Sequence, residues 1–268
     1  MIDRGRHNVL GVRVNAVDYR AAVNCVVDAA RIERPLAVSA LAVHGLMTGV
    51  LDRSHRYRLN RFELIVPDGH PVRWALNWLH NAELPDRVYG PKLMLEVCGK
   101  MAEASLPIFL FGGNQTLLSG LESQLAKNFP NLEIAGTRAS KFRTLDKTEQ
   151  QELVDEIKTS GAKVLFVGLG CPRQEVFAYE MKEALSMPIL AVGAAFNFHA
   201  GQISQAPKWM QDRGLEWLYR LGKEPRRLWR RYLLLNPLYV TLLSLQLLRI
   251  YSLDPESAEP PSAETCYG

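Results

Sequence analysis

The chain has no CxxC pair, no HExxH and no grouping of Cys and His at metal-ligand spacing. Its four cysteines, Cys25, Cys98, Cys171 and Cys266, stand far apart, so reduced thiols and no zinc site are expected. Residues 1–14 carry basic side chains but neither an apolar core nor a small-residue cleavage site, so they do not read as a signal peptide, and a cytoplasmic location is expected. The first apolar run, residues 9–14, is not followed by GxGxxG, which argues against a dinucleotide-dependent oxidoreductase. No internal repeat is visible. The most apolar segment, 236–253, is interrupted by Gln246 and Arg249 and sits near the lower length limit for crossing a bilayer. An interfacial helix fits it better.

What is present suits a folded α/β protein. Of 268 residues, 47% are hydrophobic and 22% charged, ample for one core. Short aliphatic runs at 9–14, 64–66, 107–111, 163–167 and 188–192 end in Gly, Asp or Asn, and segments of helical period lie between them at 18–31, 92–104, 117–128 and 147–159. That alternation predicts βαβ units, hence a Rossmann-like parallel sheet with helices on both faces. Three regions are expected: a catalytic core over 1–205, a basic and apolar helical appendage over 206–253, and a flexible polar tail over 254–268.

Ligands of such sheets gather at the carboxyl ends of the strands. The loops there read VPDG (66–69), FGGN (111–114), GLGCPRQE (168–175) and GAAFNFHAG (193–201). Gly112 and Gly113 would let backbone N–H groups approach a phosphate or sugar at a helix start, with Asn114 next to them, although ordinary βα turns look alike. Asp68 is either a base on a rigid scaffold or the cap of the following helix. Gln174 suits a base or sugar edge, and Glu175 is either a binding group or an acid in a first helical turn. The net charge is only +4, but Arg220, Lys223, Arg226, Arg227, Arg230 and Arg231 crowd one segment beside Trp209, Trp217 and Trp229. Such a mixture serves phosphates and a bilayer interface, or else a solvated basic face or nucleic acid. The adjacent apolar helix favours the membrane, and no nucleic-acid partner is expected.

Five ordered blocks carry a resemblance: VPDG, Arg87 with YGPKLM (89–94), FGGN, GLGCPRQE, and the long stretch 206–232. Together they resemble the WecG/TagA/CpsF family, glycosyltransferase family 26, over about residues 9–232. The resemblance implies an inverting transferase needing no metal or other cofactor, with a UDP-sugar donor and an undecaprenyl-diphosphate-linked saccharide acceptor, peripheral on the inner face of the cell membrane. It places the catalytic carboxylate at Asp68 and leaving-group arginines at Arg220, Arg227 and Arg230. It places substrate contacts at Gly112, Gly113, Asn114, Gln174, Glu175, Asn197 and Arg87, with Ser39 a further candidate. Asn197 stands where many relatives carry Asp, and Ala40 and Ala42 where they often read Thr-x-Asn. Ser39 or His44 would then take over those contacts, unless His44 is a buried structural residue. The alternative class is a non-catalytic, nucleotide-sugar-binding scaffold or regulator of a membrane polysaccharide assembly complex.

Overall fold

The structure is a computed structural model that describes every residue except Glu264, and it excludes the side chains of Arg227, Arg230 and Arg231. Six strands form one wholly parallel sheet: β3 (Leu36–Leu41), β4 (Leu64–Pro67), β5 (Ile108–Gly112), β6 (Ile134–Arg138), β7 (Val164–Gly168) and β8 (Pro188–Ala191). Their order across the sheet is β4-β3-β8-β7-β5-β6. The central strands are buried on both faces, as parallel strands between helical layers must be, and so read as continuous apolar runs.

The expectation of a strand over 9–14 is corrected. Residues β1 (Asp3–Val9) and β2 (Val12–Val17) form a separate antiparallel hairpin, turning at Leu10 (φ 51°) and Gly11 (φ 84°). A two-residue turn with both φ positive matches the strand twist, and the Asn8 side chain accepts from Gly11 N–H at 2.7 Å to hold it. Strand β6, which the sequence reading omitted, is a half-buried edge strand without a continuous apolar run.

Two apolar layers cover the sheet. One face packs on α1 (Tyr19–Arg31), α5 (Gly90–Glu103), α6 (Gln115–Asn128) and the short α9 (Ala195–His199). The other packs on α2 (Val43–Leu51), α3 (Arg53–Asn60), α4 (His70–His80), α7 (Lys147–Thr159) and α8 (Arg173–Leu185), where the Phe111 and Phe177 ring centroids lie 4.9 Å apart. Caps set several starts: Asp18 for α1, Asp52 for α3, Asn114 for α6, and an Asp146/Glu149 capping box for α7.

After the sheet come α10 (Lys208–Asp212), α11 (Glu216–Lys223), α12 (Pro225–Arg230), a π-helical turn at Arg231–Leu235, and α13 (Asn236–Leu247). Among the described residues no helix is long and apolar enough to cross a membrane. Helix α13 turns Tyr239 and Leu243 into the core, and the Tyr239 hydroxyl donates to the Pro71 carbonyl at 2.8 Å. Within 254–268, Glu259 pairs with Arg53 and Glu256 with Arg13, while Leu145 N–H donates to Cys266 C=O at 2.9 Å.

Candidate active site

At the carboxyl edge of the sheet the ends of β3, β4, β5, β7 and β8 surround a cleft of about 480 Å³. Asp68, Gly113, Asn114, Gln174, Glu175, Asn197 and Arg220 all line it. Residues that follow four of these strands, with Arg220 of α11, therefore meet in one place, as the strand-end rule requires.

Asp68 follows β4 directly. It does not cap α4, because Gly69 occupies that position (φ 96°) and no side chain bonds the helix start. Removing the capping alternative leaves the carboxylate committed to the cleft. Burial raises its pKa to about 7; Arg87 and Arg220 pull it down, Glu216 pushes it up, and the Gly90 N–H donates to it. A carboxylate poised near neutrality is matched to proton abstraction at physiological pH.

A clamp stands behind Asp68. Glu216, in the first turn of α11, accepts from Arg87 Nη2 through Oε2 and from the Tyr89 hydroxyl through Oε1, both at 2.8 Å. The Arg87 and Glu216 side chains are only 10% and 12% exposed. The Arg87 guanidinium also lies 4.4 Å over the Tyr89 ring, and Tyr89 N–H donates to the Tyr19 hydroxyl at 2.8 Å. Burial, with Glu216 and Asp68 nearby, pushes the Tyr89 phenol far above its ordinary range, so that Tyr89 stays neutral and keeps the proton it donates to Glu216. The clamp joins the segment before α5 to α11. Sequence reasoning found Arg87 but missed Tyr89 and Glu216, because an acid in a helical first turn has an ordinary local explanation.

Arg220, one turn after Glu216, is half-buried, and its guanidinium lies 5.8 Å over the Phe198 ring. Its Nε has no hydrogen-bond partner among the described residues, leaving a donor for an anion. Arg227 and Arg230, expected beside it, have side chains outside the described residues.

On the β7 side, Gln174 Oε1 accepts from Gly170 N–H at 3.2 Å while its Nε2 donates to Glu175 Oε1 at 2.9 Å. Ser39 does not line the cleft: it is fully buried and donates to the same Glu175 oxygen at 3.1 Å. Burial raises the Glu175 carboxyl above its ordinary range, against the bonds from Gln174 and Ser39. Ser39 thus holds Glu175, and Ala40, Ala42 and His44 face the cleft in its place. Arg87 is likewise behind the wall. Gly112 is structural: at φ 127° a Cβ there would sit 2.6 Å from the Gly168 carbonyl carbon, so glycine lets β5 and β7 converge. Asn114 divides its work, since its Oδ1 caps α6 by accepting from Leu117 N–H at 2.9 Å.

A doubly covered parallel sheet with carboxylate, amide and guanidinium groups converging at its carboxyl edge defines an α/β protein built to bind a polar ligand and act on it. The model of the Glycosyl transferase WecG/TagA/CpsF family matches residues 7–252, nearly the whole chain, and the protein belongs to that family. Membership makes it a glycosyltransferase of cell-envelope polysaccharide synthesis, a class with nucleotide-sugar donors and lipid-linked acceptors.

Proposed function

We propose that the protein is an inverting, UDP-sugar-dependent transferase that glycosylates a polyprenyl-diphosphate-linked saccharide at the inner face of the cell membrane. The observation that carries this reading is Asp68: a strand-end carboxylate with no capping role, raised towards neutrality, with Arg220 in the same cleft. In the proposed step the Asp68 carboxylate takes the proton of the acceptor hydroxyl while that oxygen attacks the anomeric carbon. The bond from the anomeric carbon to the diphosphate breaks on the opposite face, inverting the centre. The negative charge that develops on the departing diphosphate is offset by Arg220, joined in this reading by Arg227 and Arg230. Gly113 and Asn114 at the α6 start, with Gln174 and Asn197, are the proposed donor contacts.

Membrane docking is proposed for the appendage. In support, Trp209, Trp217, Leu218, Leu233, Leu234 and Leu248 are exposed there among basic residues, a composition suited to headgroups and the acyl boundary.

The test is UDP release from a panel of UDP-sugars by full-length protein in detergent, with and without a lipid-diphosphate-saccharide. Acceptor-dependent release from one donor is expected. Donor binding with no release under any condition would overturn the transferase mechanism in favour of a scaffold.

A further inference from the structure

The spacing of His and Cys along the chain gives no metal signature, yet folding gathers one. His55 on α3, Cys171 in the loop after β7 and Glu175 on α8 each present a ligand atom, and these three atoms lie within 4.8 Å of one another. The side chains come from separate elements brought together by the packing of α3 on α8. His55 is 2% exposed and Glu175 1% exposed. Neither ring nitrogen of His55, nor Oε2 of Glu175, makes a hydrogen bond among the described residues. Buried polar atoms are nearly always satisfied, so a buried imidazole with neither its N–H nor its lone pair engaged, beside a thiol that donates to the Glu175 carboxylate, calls for a partner.

We propose that His55, Cys171 and Glu175 bind one zinc ion. Thiolate, imidazole and carboxylate are together a zinc ligand set, and borderline-soft sulfur with nitrogen selects against magnesium and calcium. Charge also closes: Zn²⁺ with one thiolate and one carboxylate sums to zero, the state a buried site tolerates. Binding transfers the Cys171 thiol proton to solvent. Glu175 is already oriented, since Ser39 and Gln174 both bond its Oε1, and the ion would take the place of the proton that the Cys171 thiol donates to this carboxylate. Cys171 and Glu175 line the cleft, which supplies an entry path. Three protein ligands leave a fourth position for water. The ion ties α3, the β7–α8 loop and α8 into one wall of the same cleft, and zinc binding is read independently of turnover, so its failure and the failure of the transferase reading are distinguishable.

The test uses untagged full-length protein stripped with a chelator. Zinc titration against a chromophoric competitor should show one tight equivalent, and Co²⁺ substitution should give an intense thiolate-to-metal charge-transfer band with the visible spectrum of a tetrahedral site. Cys171→Ser and His55→Leu should each remove the band and weaken zinc binding by more than ~100-fold, beyond the loss of an outer partner. Cys25→Ser should leave both intact. Absence of the cobalt band from folded wild-type protein overturns the proposal without recourse to any variant. So does zinc binding unchanged in Cys171→Ser, which would mark the metal as adventitious.

Discussion

Glu216→Ala isolates the clamp between α11 and the segment that carries Arg87 and Tyr89. The substitution removes the partner of Arg87, only a tenth exposed, and one acceptor of the Tyr89 hydroxyl. Breaking a buried ion pair from one side costs about 3–5 kcal/mol, because the remaining charge stays desolvated, and the orphaned hydroxyl adds about 1 kcal/mol. The molecule has a way out: Glu216 lies on α11, so detaching that helix rehydrates Arg87 without opening the sheet. The loss therefore falls on docking, and 3 kcal/mol there is a shift of about 100-fold towards the undocked form. Hydrogen exchange across 206–223 reads it directly, with faster exchange expected there and unchanged protection in β5, β7 and β8. Turnover should fall as well, since Arg220 leaves with the same helix. Equal exchange over 206–223 in wild type and variant, with turnover intact, would refute the reasoning.

The Asp68 carboxyl, at about 7, sets an acidic limb: turnover should rise as pH passes through neutrality and level off above it. Glu216→Gln removes the neighbouring acid that raises this pKa, so the limb should move to lower pH, and a limb fixed in place would exclude the coupling. Stability carries the opposite sign. A carboxyl protonated in the fold up to about 7 and ionised above about 4 when unfolded loses stability as pH rises between those values, so Asp68→Asn should melt above wild type at pH 8 and close to it at pH 4. Gly112→Ala puts a Cβ against the Gly168 backbone at positive φ, and a loss of about 1–3 kcal/mol is expected, seen as a drop of several degrees in Tm; an unchanged melt would show that the strands are free to part. Ending the chain at residue 205 should lower partition onto anionic vesicles and lower turnover; unchanged partition would remove the appendage from membrane docking.

Much of the site was legible because the parallel sheet makes it so. Aliphatic runs ending in Gly, Asp or Asn mark strand ends, and the loops after β4, β5, β7 and β8 all reach one cleft. Local ambiguity is what the sequence left behind. Asp68 reads equally as base or cap until Gly69 is seen to take the cap. Leu10 has no turn signature, so an apolar run through it looks like one strand rather than a hairpin. Ser39 and Arg87 were expected, through the resemblance, to touch substrate, but they hold Glu175 and Glu216 from behind the wall. The Tyr89–Glu216 bond and the approach of His55 to Cys171 join distant parts of the chain, and no periodicity or spacing encodes them.

Asp68→Asn, assayed for acceptor-dependent UDP release at pH 8 with donor binding measured in parallel, addresses the central assignment most directly. The account expects donor affinity within a few-fold of wild type and turnover lower by at least the ~100-fold that a positioned base contributes. Turnover at the wild-type level in a variant that binds donor normally would contradict it and remove Asp68 from the reaction.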